Sequence, residues 1–350
     1  MHVYRPRIAI AGGGPSGLAL GLLLHRRGIR PTIYELRDRP IAEEIAKPSG
    51  MLDLHEESGL AVMREIGLWA EFKASLGDCS EVMRLFDRNG TLLHATEEQL
   101  LIRPEIPRNA LTNLLLKNVP SDMIKWNHKI RAAQRVRNAS TGAAEIMLDL
   151  GDNGTEVYDL VIGADGAWSK LRKLLTDINP FYCGAQWLTA TLKHATIKFP
   201  RLLEPMALEF FRRWVEVMPS WARDGRKIPY EYMPFHDNSV GNDSFFGNWA
   251  APLQDLLATA CDEDTKDNSG SVADIKPIPL DDALGVRRGK LGFVRLVGPI
   301  TALGPRIRDF EILMWARAKE KAEETARNKE RFLSENGAQE MLKFFQGIDG

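Results

Sequence analysis

Gly12, Gly14 and Gly17 stand at G-x-G-x-x-G spacing within Gly12-Gly13-Gly14-Pro15-Ser16-Gly17, and an acid, Glu35, follows about 20 residues later. Residues of these types at this spacing hold a dinucleotide. The first glycine permits a tight turn, the second lets a pyrophosphate approach the backbone, and the third lets a helix pack closely on a strand. A carboxylate at the position of Glu35 accepts hydrogen bonds from a ribose, and it favours the unphosphorylated adenosine ribose of FAD or NAD over the 2′-phosphate of NADP. These residues do not by themselves choose between FAD and NAD.

The elements needed to position them are legible on either side. Arg7-Ile8-Ala9-Ile10-Ala11 is a short apolar strand of the kind buried on both faces of a parallel sheet. The helix after the glycines aims its N-terminal N–H groups and positive dipole end at the phosphates. His25-Arg26-Arg27-Gly28 reads as the end of that helix and its glycine cap. Pro31-Thr32-Ile33-Tyr34-Glu35 is a second strand ending on the acid. The apolar run from Ile8 to Leu24, behind Arg5 and Arg7, superficially resembles a leader peptide. Its glycines and the lack of a small-residue cleavage site favour a buried strand followed by a buried helix. No stretch approaches the ~18 apolar residues that span a bilayer, so no stable membrane insertion is expected.

A second constellation lies at Asp159-Leu160-Val161-Ile162-Gly163-Ala164-Asp165-Gly166-Ala167-Trp168-Ser169-Lys170-Leu171-Arg172. It is an apolar strand, an Asp-Gly turn and a basic helix start. Asp-Gly after a strand is ordinary turn chemistry, but Ser169 and Arg172 complete the pattern D-G-x-x-S-x-x-R. In this the chain resembles the flavin-dependent aromatic hydroxylases, whose motif of this form lies near both the FAD pyrophosphate and the NAD(P)H path. Ser49-Gly50-Met51-Leu52-Asp53-Leu54-His55, Gly59 and Arg103-Pro104-Glu105-Ile106-Pro107-Arg108-Asn109-Ala110-Leu111 look like the tetracycline-inactivating flavin monooxygenases and their fungal relatives. The similarity runs over residues 7–178, resumes around Phe246-Gly247-Asn248-Trp249 and continues with a gap to the C-terminus.

That resemblance implies FAD at the glycine fingerprint, with Asp165 in the motif beside it. It also implies flavin contacts from Asp53 and Arg108, and backbone at Gly50 running past the isoalloxazine. Lys47 is a weaker candidate for a nicotinamide cofactor's phosphate. The implied activity is an FAD-dependent monooxygenase that uses NADPH or NADH and O2 to hydroxylate a small aromatic or polyketide-like molecule, in secondary metabolism. The cofactor carries such chemistry, so no catalytic side chain is named. His194 and His236 read as structural.

Composition agrees with a small-molecule enzyme. The chain has 350 residues, 44% apolar and 27% charged, which suits two globular domains. Its 46 basic and 47 acidic residues leave a formal net charge of -1, so nothing in the whole-chain charge favours nucleic acid. Cys79, Cys183 and Cys261 are scattered and form no CxxC, which argues against a disulfide framework or a structural metal and for a cytoplasmic protein.

The predicted fold is α/β: a Rossmann-like FAD-binding domain interleaved with a sheet-rich α+β substrate domain. Residues 1–178 form the first part of the FAD domain, 179–290 the substrate domain, and 291–350 the FAD-domain remnant and C-terminal helices. Val82 to Thr96 reads as a hairpin around Arg88-Asn89-Gly90, and Asn109 to Val119 as a helix. Between Asn179 and Leu291 aromatics such as Trp187, Phe210, Trp214 and Tyr232 accumulate; most suit a core, and some would line a substrate cavity. Asp262 to Ser271 reads as a polar loop, and Asp309 to Leu333 as a helix with a charged face.

One departure from the family stands out. Relatives carry Gly-Asp-Ala-Ala-His after a late strand, then a Pro- and Gly-rich loop opening a helix. Here Phe293-Val294-Arg295-Leu296-Val297 leads into Gly298-Pro299-Ile300, with Pro299 in the place of the aspartate and no histidine following. This difference keeps a second reading open, a catalytically impaired family member that acts as a substrate-binding or partner protein with weak or no flavin occupancy.

Overall fold

The structure, a computed structural model, describes residues 5–47, 49–76, 84–87, 89–96, 104–166, 168–175, 177, 186–190, 215–217, 278–279, 304–332, 334 and 336–347, with isolated residues 251, 255 and 259. Its chain divides into two compact units. One comprises Met1–Asp78, Leu101–Pro180 and Gly285–Ala322; the other comprises Cys79–Leu100, Phe181–Leu284 and Glu323–Gly350.

The first unit is built on β1 (Ile8–Ala11), whose four residues are all buried. The chain then forms α1 (Pro15–Arg26), β2 (Thr32–Tyr34), α2 (Ala42–Ala46), β3 (Met51–Asp53), α3 (Ala61–Glu65) and α4 (Trp69–Ala74). The hairpin β4 (Arg84–Phe86) and β5 (Leu92–Ala95) belongs to the second unit. Back in the first unit come β6 (Glu105–Pro107), α5 (Arg108–Asn118), β7 (Ile124–Lys125), β8 (Ala132–Arg137), β9 (Ala144–Asp149), β10 (Thr155–Tyr158) and β11 (Leu160–Gly163).

A four-stranded parallel sheet has the order β11-β1-β2-β7. Successive side chains of β1 point to opposite faces. Ile10 joins Leu18 and Leu22 of α1, Ile33 of β2 and Leu111, Leu114 and Leu115 of α5 in one core. Ala9 and Ala11 join Tyr34, Ile146, Leu148, Tyr158 and Val161 in the other, against the antiparallel sheet β10-β9-β8. Burial of each large aliphatic side chain stabilises this sandwich by about 1.5–3 kcal/mol. A sheet covered on both sides explains why β1 reads as a continuous apolar run.

Several buried polar groups between the two sheets are paired. The hydroxyls of Tyr34 and Tyr158 meet at 2.6 Å, and burial, followed by that hydrogen bond, pushes the Tyr34 phenol above its ordinary range. Arg7 bridges the two sheets at the start of β1. Its guanidinium donates to Asp159 Oδ1 at 3.0 Å and Glu145 Oε1 at 2.6 Å, while its backbone N–H donates to Asp159 Oδ2 at 2.7 Å.

The helix ends at His25-Arg26-Arg27-Gly28, in agreement with the sequence. Gly28 has φ +75°, its N–H donates to the His25 carbonyl, and Ile29 N–H donates to that of Leu24. The DG segment departs slightly from expectation: its Asp-Gly turn leads into a single 3-10 turn, Leu171–Leu174, in place of a helix start.

In the second unit β4 and β5 pair around the Asn89-Gly90 turn. The loop is longer than a two-residue turn because Asp87 Oδ1 accepts N–H groups of both Asn89 and Thr91. Also here are β12 (Gln186–Ala190), β13 (Val215–Val217) and β14 (Ile278–Pro279), in the order β13-β12-β14. The helix α6 (Gly304–Phe332) starts five residues before the predicted one and begins in the first unit; α7 (Gly337–Phe345) ends the second. Phe345 of α7 stacks on His94 of β5 with ring centroids 5.1 Å apart.

Candidate functional site

Three of the sequence-predicted residues, Gly12, Gly14 and Gly17, form the junction of β1 and α1. Gly12 has φ +106°, which an L side chain rarely adopts, and a methyl group there would collide with the carbonyl oxygen of Ala164. A methyl group on Gly17 would collide with the carbonyl oxygen of Gly12, so this position sets how closely the helix approaches the strand. Gly14 differs: a methyl group there would meet nothing within 4 Å. It is also the N-cap of α1, with no side-chain cap, Pro15 follows, and the first turn carries no acid. The start of α1 therefore keeps its positive dipole end and its orphan N–H groups available beside an open space.

Glu35, buried at the end of β2, reaches back to this junction. Its Oε2 accepts the Gly13 N–H at 2.8 Å, and its Oε1 accepts the Arg37 backbone N–H at 3.1 Å and Nε–H at 2.8 Å. Burial pushes the carboxyl up, but the Arg37 hydrogen bonds, the Gly13 N–H and the Arg37 charge together outweigh it and hold the group below the usual carboxylate range.

The parallel pairing of β1 with β11 sets Ala11 beside Gly163, and so carries the DG turn to the glycine junction. The Asp165 backbone N–H lies 3.0 Å from where a Gly12 methyl would stand. Asp165 Oδ2 accepts the Lys170 N–H at 2.8 Å, whereas Oδ1 is buried with no hydrogen-bond partner. Ser169 Oγ accepts the Arg172 N–H at 3.1 Å and starts the 3-10 turn. Arg172 is itself buried, and its Nε has no partner.

Gly50, Asp53 and Arg108 come together on a separate two-stranded ladder, β3 with β6, which pairs Met51 with Pro107 and Asp53 with Glu105. The Gly50 carbonyl accepts the Arg108 N–H at 2.9 Å. Asp53 and Arg108 are exposed, and no hydrogen bond or ion pair among the described residues engages the Arg108 side chain. Lys47 is exposed on the loop leading to Gly50.

That loop is held by Asn109, a residue to which the sequence alone assigns no role. Asn109 Nδ2 donates to the carbonyls of Glu44 and Lys47 at 3.2 and 3.0 Å, and its backbone N–H donates to Ser49 Oγ at 3.0 Å. Asn109→Ala will release residues 44–50, costing about 1 kcal/mol for the lost hydrogen bonds. Limited proteolysis will show faster cleavage in that loop with little change in Tm. Arg37 is likewise absent from the residues singled out by sequence; its place two residues after Glu35 is the available signal. His194, His236, Pro299 and the three cysteines lie outside the described residues, as do the side chains of Trp187 and the other aromatics noted there. Among the described residues no cluster of His, Cys, Asp and Glu could hold a metal, and no helix is long and apolar enough to cross a membrane.

Comparison with known proteins places the chain in a family. Residues 5–205 match a family model described as FAD binding domain. The chain is 37% identical over 203 residues to monooxygenase penA of Penicillium thymicola, covering 56% of this chain and 46% of that protein. It is 35% identical over 204 residues to monooxygenase asqM of Emericella nidulans, covering 55% and 46%. The chain thus spans about half the length of the curated relatives it matches. Among solved structures, Klebsiella pneumoniae HpxO complexed with FAD and uric acid superposes with a TM-score of 0.67 at 17% identity, covering 98% of this chain and 92% of that one, a likeness of fold.

Proposed function

This chain belongs to the FAD binding domain family, and from that premise we propose that it is an FAD-dependent monooxygenase. In this reading it uses NADPH or NADH and O2 to hydroxylate a small aromatic or polyketide-like molecule in secondary metabolism. The observation that carries the reading is the buried, unpartnered Asp165 Oδ1 beside a glycine turn whose Gly14 is open and whose helix start is uncapped. A buried carboxylate oxygen without a donor is costly unless a ligand supplies one, and an uncapped helix start beside open space suits a pyrophosphate.

The residues present fit FAD. Gly12, Gly14 and Gly17 with the start of α1 would take its pyrophosphate, Glu35 its adenosine ribose, and Asp165 a hydroxyl near the pyrophosphate. Gly50, Asp53 and Arg108 would lie along the flavin, with the exposed Arg108 guanidinium supplying positive charge. Bound there, FAD supplies the redox and oxygen chemistry. The chain's own part is to bind it, orient it and exclude water. Residues 1–178 and 291–350 would form the FAD domain and 179–290 the substrate domain. The named activities of penA and asqM support a monooxygenase.

A flavin absorption spectrum and FAD titration of the purified protein test this directly. The expected result is a yellow protein that oxidises NADPH or NADH faster when an aromatic substrate is present. A protein that takes up no FAD would overturn the reading. A protein that takes up little or no FAD, or that binds it and never turns over, would select the second reading, a catalytically impaired family member acting as a binding or partner protein, which Pro299 in place of the family's aspartate favours. Two substitutions localise the site. Gly14→Ala places a methyl group in the open space, and Asp165→Ala removes the orphaned acceptor. Each will weaken FAD binding about tenfold, the scale of one charged hydrogen bond or one blocked approach, with the fold intact.

A further inference from the structure

We propose that Arg37 is the positioning residue for the adenosine end of the site: it fixes the Glu35 carboxylate so that one oxygen holds the glycine loop through Gly13 N–H before any cofactor arrives. This rests on the FAD reading above and names a residue that the reading does not use.

Glu35 and Arg37 sit on backbone that is itself clamped. Glu35 N–H donates to the Lys125 carbonyl at 3.0 Å, His128 N–H to the Glu35 carbonyl at 2.8 Å, and Asn127 N–H to the Arg37 carbonyl at 3.0 Å. From this fixed frame Arg37 places two donors, backbone N–H and Nε–H, on the same oxygen, Oε1. With Oε1 fixed, the carboxyl plane is set and Oε2 is directed at Gly13. The approach leaves no slack, because a methyl group on Gly13 would stand 3.0 Å from both Glu35 Cβ and Oε2. A rotated carboxylate would release the loop N–H and present a ribose with a different pair of lone pairs.

Exposure separates positioning from structural support. The Arg37 side chain is 71% exposed and that of Glu35 only 5%. An exposed arginine contributes little to global stability, so its loss is felt in the orientation of its buried partner.

The test uses the full chain with Arg37→Ala, Arg37→Lys, Glu35→Gln and the double variant Arg37→Ala/Glu35→Gln. Arg37→Ala is expected to raise the Kd for FAD about fivefold with Tm unchanged, and Arg37→Lys to recover part of that loss. In the Glu35→Gln background, Arg37→Ala is expected to add less than about twofold, because the group it positions has been altered. Hydrogen exchange at the Gly13 amide, measured without FAD, is expected to speed up about fivefold in Arg37→Ala. Equal Kd values for wild type and Arg37→Ala, an equal fold-loss in both backgrounds, or unchanged Gly13 exchange would each overturn the inference. Should the wild-type protein take up no FAD, the functional reading falls, while the Gly13 exchange rate still decides whether Arg37 holds the loop.

Discussion

Gly17→Ala will melt about 6–12 °C below the wild-type protein, while Gly14→Ala three residues earlier will melt with it. Alanine is the better helix former by about 1 kcal/mol, so propensity alone predicts that Gly17→Ala stabilises α1, whereas Gly14 is the N-cap, outside the helix interior, where that preference does not apply. Space decides otherwise at Gly17. There the added methyl would run into the Gly12 carbonyl oxygen and come within 3.3 Å of Ile10 Cγ2. The first obstacle is backbone, which cannot rotate away, so the helix must lift off β1. Overpacking typically costs about 1–3 kcal/mol and occasionally more, and against unyielding backbone about 4 kcal/mol is expected here. Net of propensity, about 3 kcal/mol remains, and at about 2–4 °C per kcal/mol for a unit of this size that gives the stated shift. Thermal denaturation of the two variants side by side checks it. If Gly17→Ala melts with the wild type, the helix does not approach the strand as closely as the structure places it.

Arg7→Met will destabilise the first unit by about 2–3 kcal/mol. Its guanidinium pairs with two acids whose side chains are 8% and 4% exposed, Glu145 and Asp159. Removing one partner of a buried ion pair typically costs about 3–5 kcal/mol. The figure is reduced here because Arg7 is half in solvent and because other donors remain, among them Asn138 Nδ2 to Glu145 and the backbone N–H of residue 7 to Asp159. The Asp159 hydrogen bond, the largest influence, outweighs desolvation and raises the Arg7 pKa above its ordinary value. A raised cation pKa adds stability at every pH below the ordinary value and loses it only above. The deficit of Arg7→Met is therefore expected to be flat between about pH 7 and pH 9. Urea denaturation at both ends of that range measures it. The pair Arg7→Met/Glu145→Gln should lose less than the sum of the single losses, since the second change removes a charge the first left unpaired; strict additivity would contradict the ion-pair account.

Much of the first unit is legible along the chain because its signals are local. The apolar run of β1, the glycine spacing, the capped end of α1 and the acid closing β2 all lie within residues 7–35. Each depends on neighbours a few positions away. The hairpin of β4 and β5 and the helix α5 are legible for the same reason, their boundaries shifting by a residue or two. The 3-10 turn after the DG motif is less so: Ser169 Oγ accepts the Arg172 N–H within it, yet its continuation depends on packing that no local spacing encodes.

By itself the sequence singled out the residues proposed to meet a dinucleotide: Gly12, Gly14, Gly17 and Glu35 by their types and spacing, and Asp165 by the resemblance of its motif. Only the tertiary structure decided how they are held. Pairing β1 with β11 brings Asp165 to Gly12 across about 150 residues and leaves its Oδ1 without a donor. Asn109 and Arg37 enter the site by donating to backbone carbonyls and to a carboxylate already counted. Such bonds leave no spacing signature, because a main-chain acceptor is offered by every residue, and which one is met depends on where the folded chain passes.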